Sequence, residues 1–172
     1  MSYLLRKVSI SKWQPNLNLE PQHYTADAIT GCTRTSRNTL SVWHSETLDF
    51  ASEDVEKLIV ALATTMQTPD TIDLIWLEPE WLTEAGVNIE VTMGGSKFLD
   101  VNQEHRDLVG IDHSLLAKVG EHIVQQYNRD RTIYYKRISR PSLIALMTKW
   151  VNERNAINID ELNDKWQRAL AA

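Results

Sequence analysis

Between Ser52 and Met66 the apolar residues Val55, Leu58, Ile59, Leu62, Ala63 and Met66 recur at helical spacing without a fault. The stretch has a marked start and stop. Ser52 suits the N-cap, and Glu53, Asp54 and Glu56 put negative charge at the positive end of the helix dipole. Thr68-Pro69 bars continuation. Strand-like segments flank this helix. In residues 38–44, Leu40, Val42 and His44 share one face and Trp43 takes the other. Residues 71–77 are apolar at nearly every position, which predicts burial on both faces. A strand, an amphipathic helix and a buried strand in succession predict a right-handed crossover unit, and so a sheet covered by helices.

The remaining chain extends that plan. Residues 3–11 alternate as a first strand, with Leu5, Ser9 and Ser11 on one face and Leu4, Val8 and Ile10 on the other. Residues 14–22, with Pro15, Pro21 and two asparagines, read as a loop. Thr25 can cap a short helix over 26–29 that Gly31 closes. Pro79 suits the first position of a helix over 80–84, ended by Gly86. In 87–93, Val87, Ile89, Val91 and Met93 alternate with polar residues as an inward-facing set, and Gly94-Gly95 signals a hairpin into a strand at 97–101. A helix over 112–128 buries Leu115, Leu116, Val119, Ile123 and Tyr127, and 132–138 forms a last strand. Two helices close the chain. One, from Pro141, buries Leu143, Ile144, Met147, Trp150 and Val151, and the other, from Asn158, buries Ile159, Leu162, Trp166, Ala169 and Leu170. The short link 155–158 makes them antiparallel neighbours. The expected fold is therefore α+β: a small mixed sheet packed by amphipathic helices, with a core over 1–140 and a helical hairpin over 141–172.

The lone Cys32 excludes a disulfide framework and a cysteine-ligated zinc site within one chain. No stretch approaches the roughly 18 apolar residues of a membrane span. Arg6-Lys7 interrupts the N-terminus before a secretory apolar region can form, so a cytoplasmic protein with a reduced Cys32 is expected.

Linear motifs for catalysis are weak. His105-Arg106-Asp107-Leu108 matches the start of a kinase catalytic loop, but Val109 and Asp112 break the pattern and no glycine-rich nucleotide loop or DFG accompanies it. It reads instead as a helix-start segment. His105, His113 and His122, near Asp107, Asp112 and Glu121, lack the spacing that puts two ligands on adjacent turns of one helix face. Gly31, Arg34 and Arg37 surround Cys32, but no base is tied to it by spacing. Gly94-Gly95-Ser96-Lys97 sits between strands, where a phosphate cradle needs a helix N-terminus. No metal, cofactor or catalytic residue is assigned.

Charge carries the functional expectation. Residues 51–100 hold ten acidic and two basic residues, in a chain of net charge −5. Asp70, Glu78, Glu80, Trp81, Glu84 and Glu90 fall within 21 residues. They are expected to form an acidic, tryptophan-bearing docking surface for another protein with a basic face, the carboxylates steering the encounter and Trp81 anchoring it. Size and charge fit a non-enzymatic immunity- or antitoxin-like inhibitor, or a subunit of a bacterial defence complex. The alternative is a nucleic-acid-associated accessory factor. It would use Arg129, Arg131, Tyr134, Tyr135, Lys136, Arg137 and Arg140, where guanidinium groups interleave with rings. Against it stand a pI of about 5.5 and the acidic Asp160, Glu161 and Asp164 on the last helix.

Overall fold

The structure is a computed structural model and describes residues 2–33 and 37–171. Alternation of apolar residues builds its centre. The strands are β1 (Tyr3–Val8), β2 (Leu40–Ser45), β3 (Ile72–Leu77), β4 (Asn88–Val91), β5 (His105–Val109) and β6 (Tyr135–Ile138). They form one sheet in the order β4-β5-β2-β1-β3-β6. Every neighbouring pair is antiparallel, so the sheet is not mixed. The reason lies in β1. It pairs with both β2 and β3, so these two run parallel to each other but never touch. The helix between them, α3 (Glu53–Thr64), crosses over β1 to join them.

The other helices are α1 (Ile10–Trp13), α2 (Ala26–Cys32), α4 (Pro79–Glu84), α5 (His113–Arg129), α6 (Arg131–Tyr134), α7 (Arg140–Thr148) and α8 (Asp164–Leu170). Because successive strand residues face opposite ways, the sheet supplies two cores. On one face Leu5, Trp43, Leu74 and Trp76 pack with α3 and with Leu143, Met147, Trp150, Trp166 and Leu170. On the other, Leu4, Val42, Ile75, Leu77 and Leu108 pack with Trp13, Leu82, Val119 and Ile123. Chain order thus yields three layers, helices over and under one sheet. Among the described residues no helix is long and apolar enough to cross a membrane.

The α+β class stands, and α3, β3 and α5 lie where periodicity puts them. Ser52 accepts from the Val55 amide and Asp112 from that of Leu115, as the caps predict. Several expectations fail. The chain turns helical at Ile10, so β1 ends at Val8. Thr25 makes no side-chain cap bond, and Gly31 lies inside α2. Val91 and Met93 do not face inward, because β4 is an edge strand and both are 76% exposed. Residues 97–101 form no strand. A buried Asn102–Ser96 network folds that segment into a tight loop, and β4 pairs instead with β5. The His105–Leu108 run therefore lies in β5 rather than at a helix start. Asp130 caps the short α6, so only the second half of 132–138 is a strand. The final helix starts at Asp164, after a 3-10 turn at Ile159–Glu161.

Candidate functional site

Most of the residues singled out by charge do not converge. Asp70 precedes β3 and its carboxylate accepts the Thr71 amide. Glu78 follows the same strand, at its opposite end. Glu78 is bound to Arg129 at 2.8 Å. Glu80 and Glu84 are exposed on α4. Trp81, on that helix, is half-buried and stacks at 4.3 Å on His122, which lies 1% exposed in α5. One face of its ring is thereby covered by α5. Glu90 sits on the β4 edge, in register with Asp107.

The basic segment is equally occupied. Arg129 and Arg131 lie over the rings of Tyr134 and Tyr127, at 4.9 and 4.8 Å. The Tyr135 hydroxyl donates to Asp73 at 2.5 Å, and burial with that carboxylate pushes its pKa up to about 12. Arg137 also reaches Asp73, and Arg140 Nε donates to the Pro69 carbonyl. Lys136 is exposed on β6.

A different set of residues does converge. A cleft of about 520 Å³ opens where the C-terminal end of β2 meets the start of α3, the loop 98–104 and the turn of π-helix Lys149–Glu153. Leu58, Phe98, Val101 and Trp150 form its apolar floor, and Glu46, Asp54, Asp100 and Glu104 ring it with carboxylates, with Lys57 the one lysine or arginine among the described residues that line it. The register explains the pairing at its centre. Trp43 lies opposite His105, so the next position sets His44 beside Glu104. His44 Nδ1 is 2.9 Å from Glu104, and its Nε2 is 3.1 Å from Glu46. Both ring nitrogens are therefore taken. Arg106 approaches Glu104 only at 3.9 Å.

The walls are built to hold this shape. Asn102 is 5% exposed, and its amide bonds the Ser96 backbone and hydroxyl, fixing the loop that carries Asp100 and Glu104. A Cβ on Gly94 would lie 2.8 Å from both Asn102 Oδ1 and the Trp43 ring, so this strand end can approach only as glycine. His105 packs edge-on against Trp43 at 5.1 Å, and burial lowers its pKa. Lys57 is held by Glu53 and Asp54, each at 3.5 Å, above the Trp150 indole at 5.7 Å. Trp150 is 4% exposed, and its Nε1–H has no hydrogen-bond partner.

Sequence reading missed this cleft because its members come from four separated segments. Asp54 and Lys57 look like ordinary helix-start charges, and Trp150 like core. The one linear trace is the period-2 placement of His44 on a strand face opposite Trp43. As for the other candidates, His122 accepts the Glu78 amide at 2.9 Å and Cys32 accepts that of Ser9 at 3.0 Å. Among the described residues no three His, Cys, Asp or Glu side chains gather as a metal site.

No family model, curated protein or solved structure matches the chain.

Proposed function

We propose that this chain is a non-enzymatic protein-binding protein whose cleft receives a basic side chain of a partner, as an inhibitor or a subunit of a complex. The observation that carries this reading is the lining of the cleft among the described residues: Glu46, Asp54, Asp100 and Glu104 around an apolar floor, with Lys57 the one lysine or arginine in that lining, although Arg106 stands 3.9 Å from Glu104 and Lys149 and Arg154 lie 5.7 and 5.8 Å from the Trp150 ring. Such a surface attracts a cation over several ångströms and sets the sign of charge it selects. The acidic docking role is kept from the sequence, but its location moves from residues 70–90 to Glu46, Asp54, Asp100 and Glu104. A catalytic role has less support. His44 has no free ring nitrogen to act as a base, and the neighbouring Ser45 hydroxyl donates to the Thr47 carbonyl. Nucleic-acid binding also has less support, since the tyrosines and most arginines of 129–140 already hold one another or a carboxylate.

The test is an NMR titration of the protein with hexa-arginine and, separately, hexa-glutamate at about 50 mM salt, where screening is weak. Hexa-arginine should shift the amides around His44, Asp100 and Glu104, and Glu46→Gln/Glu104→Gln should abolish those shifts. Shifts confined to other surfaces, or a response to hexa-glutamate alone, would overturn the reading.

A further inference from the structure

The β4–β5 register leaves backbone groups open at one edge of the sheet. The Thr92 amide donates to the His105 carbonyl, and bonded positions alternate along an antiparallel pair, so Asn88 and Glu90 also turn their backbone groups toward β5. Ile89 and Val91 therefore point their N–H and C=O groups the other way, to the outer side of the sheet. Among the described residues none bonds them there. An open edge of this kind takes a further strand, with main-chain bonds giving affinity and side chains giving selectivity.

The side chains along the edge set that selectivity. Glu90 lies directly opposite Asp107, so two carboxylates share one face, roughly 5.5 Å apart at Cα. Like charges placed in this way repel. Among the described residues neither forms an ion pair. Asp107 accepts the Ser41 hydroxyl at 3.2 Å, and the adjacent Arg106 turns to Glu104. Ile89 and Val91 project from the opposite face, where Ile89 packs against the core and Val91 is largely uncovered.

We infer that β4 accepts, as a seventh and antiparallel strand, an extended segment of another protein in which a lysine or arginine stands between two apolar residues. The basic side chain lies opposite Glu90 and answers both carboxylates. Its two neighbours bond the backbones of Ile89 and Val91 and cover their side chains. A second copy of this chain fits less well. Its basic edge strand, β6, sets Lys136 between Tyr135 and Arg137, and both of those already hold Asp73. The edge uses none of the residues that line the cleft, so the two readings stand or fall separately.

The probe is the synthetic peptide acetyl-Ser-Thr-Val-Lys-Val-Thr-Ser-amide, titrated into the isotope-labelled full-length chain and followed by NMR at about 50 mM salt, where screening is weak. The amides of Ile89, Glu90 and Val91 should shift together. The same peptide with glutamate in place of lysine should bind about tenfold more weakly. Glu90→Lys/Asp107→Asn should reverse that order. Val91→Pro removes an outward N–H and leaves the β4–β5 bonds in place, so it should abolish binding of both peptides. If that variant does not fold, the charge exchange decides the matter alone. No response, equal affinity for the two peptides, or an unchanged order in the charge-exchanged variant overturns the inference. So does self-association of the free chain through β4, read by sedimentation. Shifts confined to His44, Asp100 and Glu104 overturn it as well, while favouring the cleft.

Discussion

His122 shows how one residue ties the interior to pH. It is 1% exposed, its Nε2 accepts the Glu78 amide, and its ring lies flat on Trp81. Burial holds its pKa at about 4, where an unfolded chain has about 6.5. Between those values the unfolded state binds a proton that the folded state refuses, so stability declines as pH falls from 6.5 to 4. At roughly 1.4 kcal/mol per unit, His122 should cost about 2 kcal/mol between pH 7 and pH 5. Urea unfolding at both pH values checks this: His122→Gln should show a shallower loss than wild type, and identical losses would refute the assignment. A second residue-scale prediction concerns Gly120 in α5. A Cβ there would meet Trp13 Cη2 at 2.6 Å, and Trp13 is fully buried with no room to retreat. Alanine normally gains about 1 kcal/mol over glycine in a helix. The overlap costs about 1–3 kcal/mol, so Gly120→Ala should destabilise by about 1 kcal/mol. Trp13→Phe shortens the opposing ring, so the double variant should lose less than the sum of the two single changes.

At the scale of elements, α2 shows a cap that is not where sequence rules place it. Thr25 occupies the N-cap position but makes no side-chain bond to the first turn. Asn16, fully buried, accepts the Thr25 amide and donates to the Thr25 hydroxyl and the Lys12 carbonyl, clamping the entry to the helix from outside it. Asn16→Ala should therefore cost about 2 kcal/mol, whereas Thr25→Ala, which breaks only one of these bonds, should cost about 0.5 kcal/mol. Equal losses in thermal unfolding would contradict this arrangement. The same contrast explains what was readable beforehand. Helix α3 and strand β3 are specified by the spacing of their own apolar residues, and both were legible. The loop 96–102 is specified by one asparagine bonding a serine six positions away, which leaves no periodicity to read. Edge strand β4 kept its alternation but not its burial, because alternation reports a pleat and not what covers it. The cleft inherits this illegibility, since two of its walls are that loop and a π-helical turn.

For the molecule as a whole, the excess of acidic side chains was legible in the sequence, and where the fold puts them was not. The excess of acidic residues in 51–100 is real, but the fold spreads it. Asp73 and Glu78 face the arginines of the following segment, Glu80 and Glu84 stay on α4, and only Asp54 and Asp100 reach the cleft. Glu46 and Glu104, from just outside that stretch, complete it. Lys57 is the lysine set within this ring, pinned by Glu53 and Asp54 over Trp150. It opposes any incoming cation. Lys57→Gln removes that opposition while its stem still covers the indole, so hexa-arginine should bind several-fold tighter at about 50 mM salt, with little change in melting temperature. Raising salt to about 0.5 M shortens the screening length to a few ångströms and should weaken both proteins, bringing their affinities together. Convergence is expected because the difference between them is electrostatic. A variant that binds no tighter at low salt, or an advantage that persists undiminished at high salt, would mean that Lys57 does not act through its charge and that the cleft does not recognise cations.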